Sequence, residues 1–142
     1  DKWIELANFY YEKNYNIYFL GKDKNLDIEY RGVLKTDSII SLLGKTSLEE
    51  ATYLLSLVDL VITNDSGLMH IAASVNTNLI SIFGSSSPFY TPPLINNQFG
   101  EVVYKALKCS PCFKRECPLQ HLNCLNDISA EEIFSKSTKY LN

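Results

Sequence analysis

Apolar residues in this chain fall into short uninterrupted blocks, at 16–21 (NIYFLG), 38–43 (SIISLL), 59–63 (DLVIT) and 78–83 (NLISIF). The blocks are rich in β-branched and aromatic residues and do not alternate with polar ones. That is the pattern of strands buried on both faces of a parallel sheet. Between the blocks the apolar positions return at helical spacing. Residues 1–13 (DKWIELANFYYEK) put Trp3, Leu6, Ala7, Tyr10 and Tyr11 on one helix face. Residues 46–59 form a second helix, whose stripe is Leu48, Ala51, Leu54, Leu55 and Val58 and whose start carries a capping box, Ser47 with Glu50. A shorter helix is expected at 67–76 (GLMHIAASVN). Another at 129–141 opens on Ser129 and Glu132, and a weak one between Lys22 and Asp37 is interrupted by Gly32. Residues 84–94 (GSSSPFYTPPL) hold three prolines and read as a loop.

Strand and helix therefore alternate, which predicts an α/β fold: a parallel sheet with flanking helices on both faces. In that rhythm a strand should precede the opening helix. The chain accordingly reads as a fragment.

The totals narrow the class further. A length of 142 residues suits one domain, and 46% hydrophobic with 20% charged residues is a globular composition. No apolar run has the length of a membrane span, and the first residues lack the basic-then-apolar order of a signal peptide, so a cytoplasmic location is expected. A formal charge of −3 with scattered Lys and Arg argues against nucleic acid as a partner.

Candidate chemistry gathers at the junction VITNDSGLMHIAAS, residues 61–74. The strand ends and the helix begins there, at the sheet edge where open α/β folds bind ligands. Unpaired amides and the helix dipole favour an anion such as a phosphate. Gly67 would let the backbone approach it, Ser66 would add a hydroxyl, and His70, one turn on, an imidazole. The plain alternative is that Asp65 or Ser66 is an ordinary N-cap and His70 a satisfied core residue. At 44–50 (GKTSLEE), Lys45 could face a phosphate and Thr46 line a base or ribose, or both could be ordinary loop residues.

Segment 109–124 carries all four cysteines, Cys109, Cys112, Cys117 and Cys124, as C-x2-C-x4-C-x6-C with His121 among them. Reduced clustered thiols point to metal more than to disulfides. A structural zinc and free thiols are both open readings.

Residues 44–93, with G-K-T-S-L-E-E, N-D-S-G-L-M-H and F-G-x-x-x-P in one span, closely resemble the donor-binding half of ADP-heptose:lipopolysaccharide heptosyltransferases, the ninth glycosyltransferase family, most like its heptosyltransferase II branch. The opening DKW and the cysteine segment are similar to segments of the same family. The resemblance implies the C-terminal half of a two-domain GT-B enzyme, a Rossmann-like parallel sheet with flanking helices. Residues 1–142 would be the donor domain, without its first strand and without the N-terminal acceptor domain. It further implies inverting transfer of heptose from ADP-L-glycero-D-manno-heptose to the lipopolysaccharide inner core, without a required metal. Asp65, Ser66, Gly67 and His70 match diphosphate and sugar contacts, Thr46 a position beside the adenosine, and Lys2 a lysine reaching toward the phosphates. Lys2 and His70 are the catalytic candidates, and an acidic ribose contact would fall at Asp23 or Asn25. The general base would lie in the absent half, leaving this chain inactive alone. Other readings are a GT-B or epimerase domain for a UDP-sugar, and a non-catalytic zinc-stapled interaction module.

Overall fold

The computed structural model describes residues 1–33, 38–95 and 98–141. Strands β1 (Ile17–Phe19), β2 (Ile39–Ser41), β3 (Leu60–Asn64), β4 (Asn78–Phe83) and β5 (Gly100–Tyr104) are joined through helices. These are α1 (Lys2–Glu12), α2 (Lys24–Val33), α3 (Leu48–Leu57), α4 (Gly67–Ser74), α5 (Asn123–Asn126) and α6 (Ala130–Ser137), with a 3-10 turn at Thr138–Tyr140. Every strand pairing is parallel. β1 lies beside β2 with Ile17 opposite Ile39, and β3, β4 and β5 are adjacent in that order with Leu60 opposite Asn78 and Leu79 opposite Gly100. Among the described residues, β4 has two strand partners and β1, β2, β3 and β5 have one each. Parallel pairing brings the carboxyl ends of paired strands, and the loops that follow them, to one edge.

β4 divides the core. Ile80 and Ile82 turn to one face, where Leu6 and Tyr10 of α1 and Ile133 of α6 cover them. Leu79 and Phe83 turn to the other, against Leu55 of α3 and Met69, Ala72 and Ala73 of α4. The result is three layers, helix on sheet on helix, the α/β arrangement the periodicity predicts. The Tyr10 hydroxyl donates to Ser137 Oγ at 2.5 Å and ties α1 to α6; burial pushes that phenol up to about 12.

The four predicted strands are present, the first two shortened to three residues each. Two predicted helix faces need correction. Tyr11 and Leu48 are exposed, because each lies at the margin of its stripe where the sheet no longer covers it. α2 continues through Gly32, so that glycine does not end the helix; residues 34–37, the rest of the predicted interval, lie outside the described residues. The Ser47 and Glu50 capping box forms on both sides. At α6 only half of one forms: Ser129 Oγ accepts from the Glu132 amide at 3.0 Å, while the Glu132 carboxylate pairs with Lys105 at 2.9 Å. Strand β5 and helix α5 are absent from the sequence-based expectation. Among the described residues no helix is long and apolar enough to cross a membrane.

Two stability predictions follow from this packing. Ser47→Ala removes the acceptor for the Glu50 amide and is expected to lower unfolding free energy by about 1 kcal/mol in urea titrations. The second concerns Glu101 on β5. Burial raises its carboxyl, but the ammonium groups of Lys136 and Lys139, both bonded to it, outweigh burial and hold it below the ordinary 4.5. A carboxyl depressed on folding stabilises the native state above its unfolded value and loses that contribution as pH falls through the folded one. The stability gap between the native chain and Glu101→Gln should therefore be full at neutral pH and close below pH 4.5. A gap that widens in acid would refute the assignment.

Candidate functional site

The chain leaves β3 at Asn64, and the Asp65 amide still donates to the Ile82 carbonyl at 3.1 Å, so the ladder to β4 extends to the junction. Ser66 then takes the N-cap position of α4 in extended conformation, φ −157° and ψ 168°, but its side chain makes no capping bond. Its hydroxyl lies instead 3.3 Å from Thr63 Oγ1. Among the described residues three α-helices have serine at the N-cap. Ser47 and Ser129 each accept from the amide three residues on, whereas the start of α4 has no side-chain acceptor. Ser66, Gly67 and His70 are all exposed, and Asp65 is half-buried. A Cβ built on Gly67 meets nothing within 4 Å. The structure thus answers the plain alternative in two respects: Ser66 is not a capping side chain, and His70 is not a core residue.

The ends of β1 and β2 form a second cluster. The Gly44 amide donates to the Gly21 carbonyl at 2.7 Å and joins the two loops. Gly44 itself has φ +67°, and a Cβ there would lie 2.3 Å from Lys24 Cγ, so a larger residue would be strained and crowded. Lys45, a candidate for a phosphate, donates to Asp27 at 3.0 Å and to the Ser41 carbonyl at 2.7 Å. Thr46 is half-buried just beyond it. Asp23 and Asn25 are both exposed, but the Asp23 carboxylate accepts from the Asn25 amide at 2.8 Å, which gives it a local role at the start of α2.

Lys2 has a different neighbourhood from the one the resemblance implies. Its ammonium donates to the carbonyls of Leu125 at 3.2 Å, Asn126 at 2.5 Å and Ile128 at 2.6 Å. Three donors thus meet three carbonyls, two from the last residues of α5 and one from Ile128 just beyond it.

The cysteine segment packs on the loop that follows β4, which nothing in its spacing announces. Ser110 Oγ donates to the Gly84 carbonyl at 2.6 Å and the Phe113 amide to the Ser85 carbonyl at 2.8 Å. A Cβ on Gly84 would come within 2.8 Å of Leu125, so α5 rests directly on the loop that follows β4. All four thiols are free and line one cavity of about 100 Å³. Backbone N–H groups, foremost that of Leu122, with Leu119, His121 and Gln120, lower the Cys117 thiol from its ordinary value. Burial, together with Cys112, Cys117 and Cys109, raises that of Cys124. His121 accepts at Nδ1 from the Asn123 amide at 2.9 Å. As they stand, no three His, Cys, Asp or Glu side chains among the described residues converge as a preformed metal cage.

This edge has recognisable relatives. Residues 1–123 match the model of "Glycosyltransferase family 9 (heptosyltransferase)". The chain is 31% identical over 137 residues to lipooligosaccharide heptosyltransferase 2 of Campylobacter jejuni serotype O:2, covering 94% of this chain and 43% of the relative. It is 37% identical over 97 residues to lipopolysaccharide heptosyltransferase 2 of Escherichia coli K12, covering 65% of this chain and 28% of that protein. The solved structure of E. coli ADP-heptose LPS heptosyltransferase II superposes with a TM-score of 0.80 at 27% identity, covering 99% of this chain and 40% of the other. A Veillonella parvula family 9 glycosyl transferase gives a TM-score of 0.75 at 23% identity, a likeness of fold. The chain spans less than half the length of these relatives. The parallel sheet, the α4 junction and the matching family model lead to one conclusion: the chain belongs to glycosyltransferase family 9, the heptosyltransferases.

Proposed function

We propose that this chain is the nucleotide-sugar binding domain of an inverting heptosyltransferase. Its donor is ADP-L-glycero-D-manno-heptose, and its acceptor, the lipopolysaccharide inner core, is held by a partner domain. The observation that carries this reading is the uncapped, exposed start of α4, with open space over Gly67. A diphosphate seated there receives the amides that Ser66 leaves without a side-chain acceptor, and His70 adds an imidazole from the same side of the helix. Negative charge grows on the leaving ADP as an acceptor hydroxyl displaces it in line. Donors already aimed at that charge lower the barrier without reorganising. No metal ion is needed in this account, because the amides and side chains take its electrostatic part.

Asp65, Ser66, Gly67 and His70 are assigned to the diphosphate and sugar, and Thr46 to the adenosine side. Lys2 can join the diphosphate only by exchanging the α5 carbonyls for it. The acceptor is assigned to a part of the enzyme outside this domain. The general base belongs to that part, and the chain by itself is expected to bind donor without transferring sugar.

Calorimetric titration with ADP, and with UDP as competitor, tests the assignment. ADP should bind and UDP should compete poorly; equal competition would favour a uridine-sugar enzyme instead. Gly67→Ala should leave stability unchanged or slightly higher, since alanine is the better helix residue and meets no neighbour, while weakening ADP about tenfold or more by keeping the diphosphate from the amides. Ser66→Ala should leave the melting temperature unaltered, having no capping bond to lose, and His70→Ala should weaken ADP by roughly tenfold, the worth of one charge-assisted hydrogen bond. A chain whose ADP affinity is indifferent to all three substitutions binds somewhere else.

A further inference from the structure

Between Val103 and Ile128 no residue is fully buried, so this stretch has no hydrophobic core of its own. It nevertheless holds three non-glycine residues in left-handed backbone conformation: Phe113 at φ 53°, Gln120 at φ 58° and Leu122 at φ 53°. Such a path persists only where the surroundings over-determine it. Within 109–124 the side chains that turn inward are few. They are the four cysteines, Ser110 and His121; every other residue of the segment is exposed. Ser110 is bonded to the Gly84 carbonyl and His121 Nδ1 to the Asn123 amide, which leaves the sulfurs as the inward groups without a structural duty.

The wall around them suits anionic sulfur. Lys114 and Arg115 line the same cavity, and the amides of residues 119–122 are directed at Cys117. Amide and cationic neighbours of this kind stabilise metal-bound thiolates. We propose that Cys109, Cys112, Cys117 and Cys124 bind one zinc ion as a tetrahedral four-thiolate site that staples the segment to the sheet edge. Each thiol gives its proton to solvent as its sulfur bonds the metal, so binding releases four protons. The resulting site carries two negative charges, faced by Lys114 and Arg115. The sulfurs ring the cavity without forming a closed cage, and a bound ion would draw them to bonding distance, about 2.3 Å. The staple would also fix α5, whose Leu125 rests on Gly84 and whose last carbonyls hold Lys2. The site is independent of the donor assignment.

Elemental analysis of the 142-residue chain, purified without added metal, should find one zinc per chain. Cobalt exchange should give the intense visible bands of a tetrahedral site and a near-ultraviolet thiolate charge-transfer band. Zinc should slow alkylation of all four thiols in the native chain, a readout needing no variant, and Cys117→Ser should lose the metal stoichiometry. A metal-free chain that gains no thiol protection when zinc is supplied would overturn the proposal. Mass-spectrometric detection of intact disulfides among these cysteines would overturn it equally.

Discussion

The arrangement depends on burying β4 on both faces. Leu79, Ile80 and Phe83 are fully enclosed and Ile82 nearly so, each contributing about 1.5–3 kcal/mol relative to exposure. A strand with no wet face cannot slip by one residue without exchanging its two sets of neighbours, so its register against β3 and β5 is fixed. Fixing the register fixes where each strand ends. The segments after β3, β4 and β5 consequently meet along one edge: the Asp65–Gly67 junction, the Gly84 loop and the cysteine segment anchored to it. The site is thus a consequence of packing far from it.

The chain treats its helix starts unequally, and the inequality is informative. At α3 and α6 a serine satisfies an amide in the ordinary way, while at α4 the serine in the same position turns toward Thr63. An exposed helix start with no side-chain acceptor relies on water or an external anion for its amides. Family membership gives that local fact a biochemical context. In the function proposed above that anion is the nucleotide diphosphate, to which α4 offers neutral donors backed by the helix dipole, with His70 beside them.

What the sequence reveals and what it hides follow from the range of the interactions involved. The four predicted strands are legible as continuous apolar runs, although of these only β4 is buried on both faces while Tyr18 of β1 and Ile40 of β2 are exposed; the capped starts of α3 and α6 are legible because a serine and the amide three residues on interact locally. β5 is not legible. It is an edge strand in which Gly100 and Val103 are buried and the residues between are not, a pattern too short to separate from loop. α5 has only four residues and begins at a left-handed Leu122, so neither periodicity nor capping marks it. The surroundings of Lys2 and Lys45 are long-range in the same sense. The bonds from Lys2 to the end of α5 join opposite ends of the chain, and the pair of Lys45 with Asp27 crosses two strand loops. Residue type identifies both lysines as possible anion partners, and only the fold shows that carbonyls and a carboxylate already engage them.

The central claim is that the first turn of α4 donates its amides to a nucleotide diphosphate. Amide-resolved NMR of the chain titrated with ADP tests this most directly. The account predicts saturable shifts largest at Ser66, Gly67 and Leu68, with smaller ones near Thr46. Saturable shifts confined to other parts of the surface, or none at all in a chain that remains folded, would contradict it.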